Sequence, residues 1–358
     1  MSHTYNDPSG LSRYGWTSAL EQDFTEHHEA GLVPARVSRV DRGLCAVVTG
    51  SGPMRATFAA PYPHDPLLMP CTGDWAALRP GGAPHLVTLL PRHSVIVRSS
   101  ASGSSHGQVL ATNVDTVVIA VSLAVPLDAA KLERLLALAW ESGAQPVIVL
   151  TKADLAADPE AVRAEAGALA PGVDILVTSV TTGHNLDTLA ALLHGTTVLL
   201  GPSGAGKSSL GNTLLGEEVL ATGAVRAQDG KGRHTTVRRE LVPLPGGGVL
   251  IDTPGLRGIS LHDAAEGLEQ VFAEIEELAA HCRFDDCAHD TEPGCAVQAA
   301  IEAGELPERR LRSYRKLLRE NAWAAARTDA RLRDERVNRQ KAITSHLRAT
   351  YRFRDRQP

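Results

Sequence analysis

Apolar and polar positions change their period along this chain, and the changes divide it into regions. From residue 31 to about Arg98 the apolar residues alternate in short runs: 35–40 (ARVSRV), 44–49 (LCAVVT), 55–59 (RATFA), 75–78 and 86–90. Asp41-Arg42-Gly43 and Gly50-Ser51-Gly52 punctuate them as turns. Short strands at this spacing predict a small barrel or sandwich; a five-stranded OB-type barrel fits the length, and another small barrel fits the periodicity equally. Residues 99–106 (SSASGSSH) read as a Ser/Gly linker and domain boundary. Beyond them strand and helix patterns alternate. Strands are expected at 116–121, 146–150, 173–178, 196–200 and 248–251. One helix is capped by Asp128 and carries a stripe of Leu132, Leu135, Leu136 and Ala139; another opens at Asp158-Pro159 with a cap and a first-turn proline. Such alternation predicts a mostly parallel sheet with helices on both faces. From Ala264 the pattern is helical, broken by a cysteine cluster, whereas residues 1–30 hold no sustained period and read as a flexible arm. The expected domains are therefore 1–30, 31–100, 107–263 and 264–358.

Composition changes this picture in two places. With 43% hydrophobic residues, 22% charged and a net charge of −5, disorder is excluded. The longest apolar run, 116–127, lies between Asp115 and Asp128 and is too short to cross a bilayer. The first ten residues, MSHTYNDPSG, lack the basic start and apolar core of an export signal, so a cytoplasmic location is expected. Charge, however, is unevenly spread: residues 306–358 carry 16 Lys and Arg against 6 Asp and Glu. A basic segment on an acidic body fits a polyanion such as RNA, and equally a solvated helical face.

The strongest chemical signal is Gly201, Pro202, Ser203, Gly204, Ala205, Gly206, Lys207, Ser208 and Ser209, of the form GxxxxGK[ST], between an apolar strand (TTVLL) and a helical run. Glycines there let backbone N–H groups turn inward around phosphate, and the helix N-terminus adds its positive dipole end. Lys207 is placed to neutralise the β- and γ-phosphates and Ser208 to ligate Mg²⁺. Asp252-Thr253-Pro254-Gly255 after the strand VLI is a plain turn or, beside a P-loop, a Mg²⁺ and γ-phosphate segment using Asp252 and the Gly255 N–H.

Thr151, Lys152, Ala153 and Asp154 stand at another strand end, either as a helix cap or as a base pocket. A carboxylate at Asp154 accepts from guanine N1–H and its 2-amino group; adenine would leave it unpaired, which disfavours an ATP enzyme. Ser179 and Val180, after VDILVT, are candidates to present an N–H to guanine O6. The base motif precedes the P-loop by about 50 residues, the reverse of the usual GTPase order. Because ligands bind where loops converge at strand ends, a circular permutation leaves such a pocket intact. It also places the DTPG segment directly before the C-terminal region.

Between P-loop and DTPG lies Gly230-Lys231-Gly232-Arg233-His234-Thr235-Thr236, a switch-like loop. Thr236, or failing it Thr235, is expected to complete the Mg²⁺ shell. Leu256 stands where many GTPases place a water-orienting glutamine, leaving His234 as the local candidate for that role or as a mere exposed loop residue. Cys282, Cys287, His289 and Cys295 follow as C-x4-C-x-H-x5-C, a donor set suited to a closed tetrahedral and therefore structural Zn²⁺ site, or else buried thiols near a surface histidine. Cys45 and Cys71 read as core residues.

Taken together, TKAD, GPSGAGKSS, GRHTT, DTPG and the cysteine spacing resemble the ribosome small subunit-dependent GTPases, the RsgA or YjeQ family. The likeness runs from about residue 31 and includes Gly73-Asp74-Trp75, Asn113-Val114-Asp115 and Glu292-Pro293-Gly294-Cys295. It implies an N-terminal OB-fold, a permuted GTPase domain and a C-terminal zinc-binding helical domain. It also implies GTP hydrolysis stimulated by the small (30S) ribosomal subunit, in late subunit maturation with rRNA contact. By position, GTP falls on 151–154 and 201–209, zinc on Cys282, Cys287, His289 and Cys295, and the family's switch I histidine on His234. One departure is Thr151, where the family usually has asparagine, whose amide ties the base loop to the P-loop. A hydroxyl is expected not to span as far, at about 1 kcal/mol of nucleotide affinity. A monomer is expected, and a second reading remains: an RNA-binding assembly factor in which GTP is structural or regulatory.

Overall fold

The computed structural model describes residues 8–41, 43–58, 66–98, 108–220, 239–252 and 264–328. Strands β1 (Val33–Asp41), β2 (Leu44–Thr49), β3 (Gly52–Phe58), β4 (Trp75–Arg79) and β5 (His85–Leu89) close into a barrel of order β1-β2-β3-β5-β4. The β3–β5 pair is parallel and the other pairs antiparallel, which selects the OB arrangement over the other small barrels that periodicity allowed. Alternation turns Ala35, Val37, Cys45, Val47, Ala56, Ala76, Leu78 and Leu86 inward, and these small and branched side chains fill the interior. Cys45 and Cys71 are buried, and burial with the nearby Asp74 charge pushes both thiols up to about 12, so they are inert core residues.

The expected linker, 99–106, lies outside the described residues. Strands β6 (Val95–Arg98) and β7 (Gln108–Thr112), on either side of it, pair antiparallel. Paired strands on both sides argue against a domain boundary there, since Ser/Gly composition marks a connection of any kind.

Next come β8 (Thr116–Ser122), α3 (Ala129–Glu141), β9 (Gln145–Thr151), α4 (Pro159–Leu169), β10 (Asp174–Val177), α5 (Leu186–Leu192), β11 (Thr196–Leu200), α6 (Lys207–Leu215), β12 (Glu240–Pro243) and β13 (Val249–Asp252). They form a six-stranded sheet of order β10-β9-β8-β11-β13-β12, parallel except for β12 against β13. The predicted caps are in place: Asp128 accepts from Lys131 N, and Asp158 from Ala161 N ahead of Pro159. Leu132, Leu136 and Leu169 pack on one face of the sheet; Leu189, Leu210 and Leu215 pack on the other.

Helices α7 (Ala265–Val271), α8 (Ala273–Ala279), α9 (Ala296–Glu302) and α10 (Glu308–Thr328) complete the described residues. They share the core of α3, because Leu268, Val271, Phe272, Leu311 and Leu317 join Leu132 and Leu136 in one cluster. Gly267 has to be glycine: a Cβ there would lie 2.1 Å from the Ala137 carbonyl oxygen. The fully buried Glu133 of α3 holds α10, accepting from Arg309 at 3.1 Å, Arg310 at 2.8 Å and the Ser313 hydroxyl.

The flexible arm expected at the N-terminus is corrected from Pro8 onward. A 3-10 turn (Pro8–Tyr14), α1 (Ser18–Asp23) and α2 (Thr25–Glu29) pack on the body, with Leu11 and Phe24 fully buried. Elements this short cannot complete a helical period, so the apolar residues Leu11, Tyr14, Trp16 and Phe24 gave no periodic signal. Residues 1–7 lie outside the described residues.

Candidate functional site

The C-terminal ends of β9, β10, β11 and β13 open on one edge of the sheet, and the loops that follow them carry the motifs. β11 delivers the P-loop. Gly201 sits where a Cβ would come within 2.4 Å of the Ala120 carbonyl oxygen, at φ +143. Gly206, at φ +83, turns the chain into α6. These two glycines are required by close approach and by positive φ. Ser208 follows in the first helical turn, half-buried. Lys207 folds over the loop, donating to the carbonyls of Gly201 and Pro202 at 2.8 Å each.

β9 delivers the base motif to the same place. The Thr151 hydroxyl donates to the Ala205 carbonyl at 2.7 Å, and Lys152 Nζ to the Gly204 carbonyl at 2.7 Å. The single bond expected of a threonine hydroxyl is thus made, and it reaches the P-loop. The Thr151 hydroxyl lies 3.5 Å from an ideal Cβ on Gly206, so the loops touch directly and the longer amide is not needed. Lys152 adopts a left-handed conformation at φ 60, which aims its side chain back across the P-loop.

Asp154 is oriented by Ser179, whose hydroxyl donates to Asp154 Oδ1 at 2.5 Å and accepts from Thr182 N at 3.2 Å. Ser179 N–H is committed to the His184 carbonyl at 3.2 Å. Of the pair Ser179 and Val180, the backbone donor left for guanine O6 is thus Val180. Ala153 N–H donates to the Thr178 carbonyl, locking the base loop to the strand end of β10. Asp252 ends β13 on the same edge. His234, Thr235, Thr236, Gly255 and Leu256 lie outside the described residues.

A second cluster stands between α8 and α9. The ligand atoms of Cys282, Cys287, His289 and Cys295 all lie within 4.8 Å of one another. Cys282 Sγ is 3.8 Å from Cys295 Sγ and 3.5 Å from His289 Nδ1, and Cys295 Sγ is 3.6 Å from the same nitrogen. Bonds of about 2.3 Å to sulfur and about 2.0 Å to nitrogen set tetrahedral edges of about 3.5–3.8 Å, so the donor set fits a zinc-sized ion. His289 is placed at φ 57, with its carbonyl accepting from Gln298 Nε2. Burial, then the Arg315 charge, hold its imidazole below the usual range and favour the neutral, ligating form. Glu292 shapes the loop by accepting from the N–H groups of Ala288, Asp290 and Thr291. Arg315 of α10 anchors it through the Ala288 carbonyl at 2.8 Å.

Sequence reasoning passed over the junction between barrel and sheet. Gly73 approaches the Thr112 carbonyl so closely that a Cβ would lie 2.2 Å away. Asp74 holds Arg92 at 2.7 Å, and Asn113 Nδ2 donates to the Gly73 carbonyl at 3.0 Å. The motif pairs Gly73-Asp74-Trp75 and Asn113-Val114-Asp115 are the visible trace of this contact.

A P-loop and a guanine-type base loop, converging from reversed chain order onto a doubly wound sheet, define a circularly permuted GTPase. Residues 89–262 match the RsgA GTPase family. The chain is 58% identical over 337 residues to a small ribosomal subunit biogenesis GTPase RsgA from Streptomyces coelicolor, covering 93% of this chain and 92% of that protein. A protein of the same name from Streptomyces avermitilis is 60% identical over 330 residues, with 91% and 89% covered. Among solved structures, YjeQ from Thermotoga maritima superposes with a TM-score of 0.60 at 25% identity, over 81% of this chain and 98% of that one. YloQ, a circularly permuted GTPase, shares the fold at a TM-score of 0.57. The chain belongs to the RsgA GTPase family, and it is a GTP hydrolase.

Proposed function

We propose that the chain hydrolyses GTP as a switch on the small ribosomal subunit during its late maturation, with rRNA as its contact and the subunit as its activator. The observation that carries this reading is the convergence of base loop and P-loop through Thr151–Ala205 and Lys152–Gly204, beside a serine-held Asp154. Guanine is read by Asp154 and the Val180 N–H, while the Lys152 stem covers the ring. Gly201 to Ser209 cradle the phosphates, with Lys207 leaving its carbonyl partners to pair with the β- and γ-phosphates. Ser208, Asp252 and Thr236 would hold Mg²⁺, which when bound would neutralise charge developing on the phosphates. Gly255 N–H faces the γ-phosphate, and His234 orients the water where Leu256 replaces the usual glutamine. Zinc on Cys282, Cys287, His289 and Cys295 is structural, because four protein ligands leave no open position. The relatives' names supply the subunit as partner. The basic stretch from Leu306 supplies a surface for its RNA. The protein acts in the cytoplasm as a monomer; among the described residues no helix is long and apolar enough to cross a membrane.

The test is GTP turnover with and without small subunits at low salt, since phosphate contacts weaken as salt rises. Stimulation of about tenfold or more, about 1.4 kcal/mol off the barrier, is expected. Binding without stimulation would support the assembly-factor reading instead and remove His234 from the mechanism. In the isolated protein, Lys207→Ala abolishes tight nucleotide binding.

A further inference from the structure

Arg36 has no part in the chemistry above, yet it is among the most expensive side chains in the molecule. It projects from β1 of the barrel and is 1% exposed. Among the described residues no carboxylate closes an ion pair with it. Its Nη2 donates instead to Thr196 Oγ1 at 2.9 Å and to the Asn113 carbonyl at 3.3 Å, while the guanidinium lies 4.6 Å over the Trp75 ring. Burial lowers its pKa to about 10 against the pull of Asp115 and Asp74. A cation stripped of water, with no carboxylate in direct contact among the described residues and only the more distant charges of Asp115 and Asp74 to balance it, persists only where its surroundings demand that position.

The N-terminal segment packs beside it. Trp16 meets Trp75 edge-on with ring centroids 4.8 Å apart, and Phe24 meets Trp16 at 5.7 Å. Gly15, at φ +88, carries the backbone so close that a Cβ there would lie 3.9 Å from Arg36 Nη1 and 4.0 Å from Thr196 Oγ1. Residues 8–30 therefore run directly over the place where barrel and sheet meet. Thr196, which receives the guanidinium, is the first residue of β11, and β11 enters the P-loop at its other end. Asp115 braces the same residue from just before β8, accepting from Thr196 N at 2.6 Å and donating its own N–H to the Thr196 carbonyl at 2.8 Å.

We infer that residues 8–30 are a strap closing the junction, and that Arg36 beneath it is a positioning residue tying the barrel to the root of the P-loop strand. Barrel and nucleotide site then move as one body, and a partner that grips the barrel acts on the strand that holds the phosphates. This last step rests on the proposed subunit reading; the strap does not.

The experiment compares the full-length protein with Trp16→Ala, Trp16→Phe and Arg36→Met by amide hydrogen exchange and by GTP turnover. In Trp16→Ala, the junction amides of Thr112, Asn113 and Asp115 are expected to exchange at least about tenfold faster, while those of Ile148 and Leu199 inside the sheet stay within about twofold. Trp16→Phe restores protection, because an aromatic edge on Trp75 is retained. Basal kcat and KM stay within about twofold in Trp16→Ala and Arg36→Met, whereas the subunit-stimulated rate falls at least about fivefold in both. Unchanged junction exchange, or acceleration spread evenly over the whole chain, would overturn the strap. Full stimulation in Trp16→Ala and Arg36→Met, or a parallel loss of basal turnover, would overturn the positioning role. If the wild-type protein shows no stimulation, the subunit reading fails and exchange alone decides the strap.

Discussion

Two side chains show how little separates a motif from a site. Thr151 occupies a position where a longer amide is usual, and its hydroxyl nevertheless reaches the Ala205 carbonyl at 2.7 Å. Thr151→Ala removes that donor and leaves a P-loop carbonyl unpaired, so nucleotide affinity should fall by about 1 kcal/mol, roughly fivefold, in calorimetric titration with GDP. An unchanged affinity would mean the loops are held together by Lys152 and packing alone. In the proposed reading Asp154 carries discrimination rather than affinity at large. Asp154→Asn should collapse the preference for GTP over ATP in a competition assay, since the amide presents a donor to guanine's donors. Both residues were legible in the sequence as candidates. The role of Ser179 was not, because its hydroxyl faces Asp154 only once the loop has been closed by the bond from its own N–H to His184.

At the level of elements, the strands and capped helices of the sheet could be read from the chain because each carries its own signal. Alternation marks β1 to β5, and a cap with a first-turn proline marks α4. What joins the elements had no such signal. Glu133 lies within an ordinary amphipathic helix, yet it is fully buried and receives Arg309, Arg310 and Ser313 from α10. Glu133→Leu should destabilise the protein by about 3–5 kcal/mol in urea melts, because Arg310 is left buried beside a single remaining carboxylate, Glu274. A Glu133→Leu, Arg310→Met double variant should lose clearly less, and equal losses would mean that packing rather than charge sets the cost. The cysteine cluster is readable from spacing, and the structure gathers its four potential ligands in the α8–α9 connection. Cys295→Ser should lower bound zinc below one equivalent by elemental analysis and reduce the melting temperature, while GTP binding to the isolated protein persists.

For the whole molecule the decisive contact is the junction of barrel and sheet, and it brings a pH dependence. Burial works to raise the Asp115 carboxyl, but hydrogen bonds from His93 and the Thr196 N–H, with the charges of His93 and Arg36, hold it below its ordinary value of 3.8. A carboxyl whose folded pKa is depressed contributes stability above its unfolded pKa and loses it as pH falls through the folded one. Stability should therefore drop on acidification below 3.8, and Asp115→Asn should flatten that part of the acid limb in urea melts. A variant with the wild-type slope would show that other carboxylates dominate there. By itself the sequence determined the OB-type barrel as one of two choices, the parallel sheet, the permuted order of motifs and the four side chains that could hold a metal. Each of these is read from short local signals, by period, cap or spacing, and from the order in which they follow one another. Tertiary structure alone decided that residues 8–30 are not a free arm, that Val95–Arg98 pairs with Gln108–Thr112, and that Thr151 reaches its partner. Those outcomes depend on which surfaces meet after folding. Arg36 meets Thr196 across 160 residues of chain, a separation at which no local pattern survives.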